Sequence, residues 1–274
     1  MSELETALAL RMKERSAPTP AGRDGTGPVA GGIHAIDRRR RQAGPMAGTD
    51  PLTLAVREYA TWCDLLCRLH RFAQAGDARL WWSARRTPDL VPDAITLVAD
   101  LPVLDVLGRI DDSPGASVLD AFAALDLADQ GWTADPDAFW IARPPGAAAE
   151  RATTPAFAVV RERFVFTAWC RAAGGPDGVL PAGLRRASGV TVLGREGSAG
   201  FTDGAIVHRT AIGGTPVAGV WHAFGAWGHV VAAAAHRHPE AWLVGYASGP
   251  DLATARAAGF SAVGPLRAWS RPRR

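Results

Sequence analysis

The stretch LVGYASGPDLATARAAGFSAVGPLR, residues 243–267, decides the fold expectation for this chain. The run Trp242 to Tyr246 predicts a strand that leads into this stretch, and Leu252 to Ala258 predicts a helix. Gly259 is placed to end that helix, because glycine adopts the left-handed conformation at low cost. Phe260 can then fold back as an apolar staple, and residues 261–269 predict a final strand pair or one bent strand.

The residues that precede this stretch predict a regular succession of strands and helices. A strand over 157–160 is followed by an amphipathic helix over 163–173 and a short helix over 180–187. Next come three strand candidates separated by glycine turns and then a helix, over 190–193, 204–210, 217–224 and 227–237. The order predicts an α/β (mixed α+β) fold with a largely antiparallel sheet flanked by helices.

The first half has its own pattern. Asp50-Pro51 predicts an N-cap followed by proline at the first helical position, with a helix over 51–72. Apolar runs predict strands over 94–98 and 138–142. The run Arg143-Pro144-Pro145-Gly146 is the candidate boundary, which divides the folded part into domains 50–146 and 147–274.

The order of elements and the Ala255…Gly259-Phe260 signature resemble the GNAT (acyl-CoA N-acyltransferase) superfamily. The first half is similar to the partial GNAT-like domain that precedes a full one in tandem members. The resemblance implies a GNAT-like sheet, acyl-CoA such as acetyl-CoA as co-substrate, and transfer of the acyl group to an amine of a small molecule or protein.

The family's pyrophosphate loop, Gln/Arg-x-x-Gly-x-Gly/Ala, corresponds here to HAFGAWGH, residues 222–229. Backbone N–H groups and a helix N-terminus hold the phosphates in such a loop. The resemblance implies that acyl-CoA contacts Ala223, Phe224, Gly225, Trp227, Gly228 and His229. Gly225 keeps the pattern, whereas His222 and Trp227 depart from it, and Ala255 stands where the family's usual general-acid tyrosine would be.

His222 is the candidate catalytic residue, because an imidazole on a central strand can act as a general base near neutral pH. The alternative is a strand histidine that only completes a hydrogen bond. Trp227 is a candidate pocket wall, and His229 has the alternative of an exposed first-turn histidine.

The charge and composition of the chain exclude some classes of function. Residues 1–49 carry eight basic and five acidic groups, which leaves 22 of each for residues 50–274. Because the folded part is neutral, we expect no nucleic-acid partner. Residues 1–49 have the composition of a disordered leader, and Met46 is an alternative start.

A membrane-spanning protein and a metal site are also disfavoured. No apolar run is long enough to span a bilayer, and no secretory signal is visible. The histidines lack the spacing of a metal site, so no metal is expected. Three cysteines without a pairing pattern predict reduced thiols and a cytoplasmic protein. The leading hypothesis is an active N-acyltransferase, and the second is a GNAT-fold binding or assembly module without catalysis. A third is an RNA-associated protein that uses the basic run Arg38–Arg41.

Overall fold

A computed structural model describes residues 50–147, 156–175 and 179–273. The helices in these ranges are α1 (Pro51–Leu69), α2 (Val103–Leu107), α3 (Arg163–Ala172), α4 (Trp227–Arg237) and α5 (Gly249–Ala257). The strands of the first half are β1 (Ala75–Gly76), β2 (Leu80–Trp82), β3 (Ala94–Thr96), β4 (Ser117–Asp120), β5 (Thr133–Ala134) and β6 (Ala138–Arg143). Those of the second half are β7 (Ala158–Val159), β8 (Val190–Gly197), β9 (Gly200–Ile212), β10 (Thr215–Phe224), β11 (Trp242–Ser248) and β12 (Ser261–Ser270). The predicted leader and the Met46 start lie outside the described residues.

The described strands form one continuous sheet. Its order is β1-β2-β3-β4-β12-β6-β11-β10-β9-β8-β7, with β5 paired to β12 beside this path. Two neighbouring pairs in it, β3–β4 and β10–β11, are parallel, and the other described pairs are antiparallel. The predicted mixed fold with a largely antiparallel sheet is therefore confirmed.

The two halves of the sequence exchange strands at the centre of this sheet. Strand β6 lies between β11 and β12 and pairs antiparallel with both. Strand β12 in turn pairs with β4 of the first half through Arg267–Ser270. The division near residue 146 stays a prediction, but the strand just before it is built into the sheet of the second half.

Helix α1 joins the halves on one face of the sheet. It begins where the sequence predicts, because the Asp50 carboxylate accepts a hydrogen bond of 3.1 Å from the Thr53 N–H. Its apolar side is fully buried, including Leu54 and Trp62, and it contacts β6, β9, β10 and β11. Helices α4 and α5 pack on the opposite face. The face of β10 that looks toward α1 is thus closed by residues of the first half.

The end of α5 has the predicted geometry. Gly259 has φ +87°, and the N–H of Phe260 donates to the Ala255 carbonyl at 3.1 Å. The Phe260 ring is 4% exposed and meets Trp227 edge to face, with ring centroids 5.9 Å apart. Gly259 and its staple therefore fix α5 against α4 and set the start of β12.

Candidate functional site

The parallel strands β10 and β11 stop pairing part of the way along their length. Their register covers Val217–Gly219 and Trp242–Val244. Both strands then continue, to Phe224 and Ser248. Ligands of open sheets bind beyond the carboxyl ends of parallel strands, where backbone groups are free to contact them. The segment of β10 beyond Gly219 is consequently the candidate site.

His222 lies in a bulge within this segment. The register between β10 and β9 shifts between Trp221 and Phe224, and His222 has φ +51°. A non-glycine residue in this conformation costs roughly 1–2 kcal/mol, which the surrounding sheet must offset. Its half-buried imidazole lies beside the Trp62 ring of α1, with ring centroids 6.1 Å apart. The structure thus places the predicted catalytic residue at a bulge, under a helix of the first half.

Ala223 and Phe224 present only their backbone to this region. Ala223 is 6% exposed and packs toward α4, and Phe224 is 8% exposed. The Phe224 ring meets Trp169 edge to face at 5.4 Å. Their side chains are parts of the core, so a contact with a thioester would have to come from the backbone.

Gly225 forms the turn between β10 and α4. It has φ +78°, and a Cβ there would lie 2.3 Å from the Thr202 carbonyl oxygen and 2.6 Å from Asp203 Oδ1. Glycine is required at this position both by conformation and by space. The turn brings the first backbone N–H groups of α4 against β9 of the same sheet.

A buried carboxylate occupies this turn. The side chain of Asp203 is 2% exposed, and its Oδ1 accepts a 2.6 Å hydrogen bond from the N–H of Ala226, the residue before α4. Its Oδ2 accepts hydrogen bonds from Thr202 and from Arg195 Nε, at 2.8 and 2.5 Å. Asp203 therefore caps the helix end at which the sequence predicts the pyrophosphate.

Electrostatics keep this carboxylate ionised. Burial alone would raise the pKa of Asp203, but the hydrogen bonds from Ala226, Thr202 and Arg195 outweigh burial and lower the pKa. His229 Nδ1 lies 3.9 Å from Asp203 Oδ1. An anionic ligand at this turn would meet a fixed negative charge, which Arg195 partly neutralises.

The remaining predicted contacts lie on the first turn of α4. The Trp227 ring packs edge to face against the Phe260 ring, which follows α5. A Cβ at Gly228 would meet no atom within 4 Å, so this part of the helix surface is open. The His229 side chain is 35% exposed, and its Nδ1 atom is buried on the Asp203 side. The turn thus brings Gly225, Gly228 and His229 close together, whereas the Trp227 side chain packs against Phe260.

The sequence interpretation missed an ionisable pair on the α1 side of the site. Glu58 of α1 is 0% exposed, and its Oε1 lies 2.7 Å from Nδ1 of His208, which is 5% exposed. A Cβ at Gly219 would lie 2.2 Å from Glu58 Oε2 and 2.4 Å from Trp221 Nε1. Burial raises the pKa of Glu58, and the contact with His208 only partly opposes that rise. The pair is located at the point where β10 leaves β11.

A signal for this pair is present in the helix pattern. Leu54, Glu58, Trp62 and Leu66 follow each other at intervals of four residues, which places Glu58 in the middle of the buried stripe of α1. A carboxylate on such a stripe needs a partner, because a buried unpaired charge is costly. The partner, 150 residues away, could not be read from local sequence.

The two tyrosines of the chain are both near this pair. Tyr59 is 5% exposed and Tyr246 is half-buried, and their rings are 6.0 Å apart. Tyr246 lies on β11 beyond its register with β10. Ala255, at the family's tyrosine position, is fully buried. Tyr246 is therefore the more accessible phenol on this part of the sheet.

Two further properties concern only the described residues. Among them, no helix is long and apolar enough to cross a membrane. No group of three or more His, Cys, Asp or Glu side chains in the described ranges is arranged to hold a metal ion.

Solved structures resemble this fold, although neither a protein-family profile nor a curated protein matches the chain. A GCN5-related N-acetyltransferase from Kribbella flavida superposes with a TM-score of 0.53 at 18% identity, covering 80% of this chain and 96% of its own. A functionally unknown conserved protein from Staphylococcus epidermidis has a TM-score of 0.50 at 10% identity, with coverage of 73% and 93%. The fold of this chain is that of the GNAT proteins.

Proposed function

We propose that the protein is an acyl-CoA-dependent N-acyltransferase that uses the carboxyl-terminal end of β10. The observation that carries this proposal is the early end of the β10–β11 register at Gly219, followed by the bulge at His222. This arrangement leaves the β10 backbone beyond Gly219 unpaired with β11, and an extended pantetheine arm and its thioester can be held between the two strands.

The reaction is an exchange of bonds at the acyl carbon. An amine attacks the thioester carbonyl, the C–N bond forms and the C–S bond breaks, and CoA leaves as a thiolate. The amine nitrogen attacks in its neutral form and gives up its surplus proton to a base as the C–N bond forms, and the departing thiolate takes up a proton. Backbone N–H groups near Ala223 and Phe224 would polarise the carbonyl oxygen.

His222 and Tyr246 are the candidates for the proton steps. His222 is half-buried at the bulge, so its imidazole can take a proton from an amine that enters beside α1. Tyr246 replaces the missing family tyrosine as proton donor to the thiolate, since Ala255 has no donor. Glu58 and His208 are too buried to touch a substrate, and we assign them to the support of β10.

One observation favours a second candidate, a GNAT-fold module without catalysis. Asp203 already occupies the backbone donor at the start of α4, with its Oδ1 2.6 Å from the Ala226 nitrogen. A pyrophosphate at this turn would have to approach an ionised carboxylate. In this candidate the site takes a ligand without a pyrophosphate.

Binding and catalysis are tested separately on the full chain. Acetyl-CoA at about a hundred times its Kd should stabilise the protein by about 2.7 kcal/mol, a rise of several degrees in Tm. No shift with acetyl-CoA, CoA or a longer acyl-CoA, in a protein that melts cooperatively, would refute the acyltransferase. If acetyl-CoA raises the Tm of the Asp203→Asn variant but not that of the parent chain, the second candidate is supported.

Thiol release from acetyl-CoA with a panel of small and peptidyl amines measures the reaction itself. We expect His222→Ala to reduce kcat at least tenfold, while His236→Ala, at the exposed far end of α4, leaves kcat unchanged. Tyr246→Phe should lower kcat with little change in the Tm shift by acetyl-CoA. Equal activity of all three variants would overturn these assignments.

We place the protein in the cytoplasm, where acyl-CoA is available. All three cysteines, Cys63, Cys67 and Cys170, are free and buried, which suits a reducing compartment.

A further inference from the structure

A cavity at the far end of α4 collects arginine side chains. It has a volume of about 530 Å³, within the range of small-molecule sites. Its wall contains four arginines and one glutamate: Arg161, Arg185, Arg186, Arg237 and Glu162. Four positive charges against one negative charge leave an excess of three in a concave space.

This excess is not expected from composition. Residues 50–274 carry equal numbers of basic and acidic groups, so an excess of three positive charges around one cavity is a local feature. Low-dielectric walls around such a cavity focus its field and raise the local concentration of anions.

Most of these charges have no counter-ion among the residues that the structure describes. Among the described residues, Arg161, Arg186 and Arg237 form no ion pair, whereas Arg209 next to this region pairs with Glu240 at 3.1 Å. Arg237 lies in the last turn of α4, where the helix dipole favours a cation. The dipole accounts for one arginine of the four and leaves the other three unexplained.

Arg185 is held in place before any ligand arrives. Its Nε donates to the Arg161 carbonyl at 2.7 Å, and its Nη1 donates to the Ala182 carbonyl. Both partners are neutral, so the guanidinium keeps its charge while its position is fixed. A preorganised guanidinium binds phosphate oxygens at a lower entropy cost than a free one.

We propose that this cavity binds a small molecule carrying two or more phosphate groups. Guanidinium groups recognise phosphate through paired, charge-assisted hydrogen bonds, and several of them match a chain of phosphates better than a single one. A concave space of this volume suits a small polyanion rather than an extended nucleic-acid strand.

The cavity is distinct from the proposed acyl-CoA turn. The turn precedes α4 at Gly225, and the cavity contacts its last residue, Arg237. A helix of 11 residues spans about 16 Å, so one phosphate chain cannot serve both places. A polyphosphate ligand would therefore act as a second ligand, independent of acyl transfer.

Calorimetric titration of the full chain with tripolyphosphate, at constant ionic strength, tests the proposal. We expect saturable binding of one molecule per chain, with inorganic phosphate and sulfate at least tenfold weaker. The double variant Arg186→Gln/Arg237→Gln should weaken tripolyphosphate binding at least tenfold. Both side chains are exposed, so the variant should keep the melting behaviour of the parent chain.

The matched control is Arg256→Gln, which removes an exposed arginine from the last turn of α5. We expect it to bind tripolyphosphate like the parent chain. Absence of saturable binding, or equal weakening in the control, would overturn the proposal. So would a single-stranded oligonucleotide that competes at lower concentration than tripolyphosphate, because the surface would then recognise nucleic acid.

Discussion

Removing the Glu58 carboxylate is the most informative perturbation of the core. Glu58 is 0% exposed and contacts His208 at 2.7 Å, so Glu58→Ala leaves a buried imidazole without its acceptor and opens a cavity. Loss of one partner of a buried pair costs roughly 3–5 kcal/mol of unfolding free energy. For a chain of this size each kcal/mol lowers Tm by about 2–4 °C, and we expect a fall of roughly 10 °C.

Asp64→Ala is the matched control, because Asp64 lies on the same helix and also accepts two side-chain contacts, from Arg68 and Gln74. Its side chain is 28% exposed, and a surface pair of this kind contributes about 0–1 kcal/mol. Urea unfolding followed by circular dichroism measures both variants. If Glu58→Ala loses no more unfolding free energy than Asp64→Ala, the Glu58–His208 pair does not stabilise the packing of α1 on β9, and the reasoning is refuted.

The pH dependence of the unfolding free energy tests the protonation state of the Glu58 carboxyl group independently. Burial raises the pKa of Glu58 above its ordinary 4.5, which means that the folded protein holds this proton more tightly than the unfolded chain. The resulting stabilisation is complete below pH 4.5 and is lost as pH rises through the folded pKa. Relative to Glu58→Gln, the parent chain should therefore lose unfolding free energy as pH rises above 4.5. An opposite slope would show that the ionised carboxylate is the form the fold prefers.

Three further predictions concern single positions. Gly219→Ala should cost about 1–3 kcal/mol in urea unfolding, because its Cβ would lie 2.2 Å from a carboxylate oxygen, whereas Gly228→Ala meets no atom and should not destabilise. His222→Gly should be more stable than His222→Ala by about 1 kcal/mol, since φ is +51°, and equal stabilities would argue against the left-handed bulge. Burial raises the pKa of Cys67 to about 11 and that of Cys63 well above 9.0, so peptide mapping should find both unalkylated by iodoacetamide at pH 8 until denaturant is added.

Local signals in the sequence predict many elements with accurate bounds. The helix predicted over 227–237 has those limits, and the Asp50 cap begins α1 as expected. Strand β9 runs from Gly200 to Ile212, well beyond the predicted 204–210. The polar residues and glycines at its two ends do not alternate with apolar residues, so the sequence pattern does not predict them as strand. Hydrogen bonds to β8 and β10 nevertheless extend β9 over these residues, because pairing within the sheet decides where a strand ends.

The candidate site was harder to predict than the fold. The residues 222–229 could be located by their position between a strand and a helix, and the structure does place them at the end of β10 and the start of α4. The charge at that turn comes from Asp203 on β9, about twenty residues earlier in the sequence. A side chain that approaches from a neighbouring strand leaves no local trace, so the sequence predicts an anion site where the fold supplies its own carboxylate.

The exchange of β6 and β12 explains why the first half matters to a site made almost entirely of second-half residues. Strand β6 separates β11 from β12, and without it the two would have no common neighbour in the described sheet. Helix α1 adds Glu58 and Trp62 beneath β10, so both the register end at Gly219 and the bulge at His222 rest on first-half side chains. A division of the chain at residue 146 would therefore separate the candidate site from its support. The candidate site and the residues that support it belong to one continuous sheet.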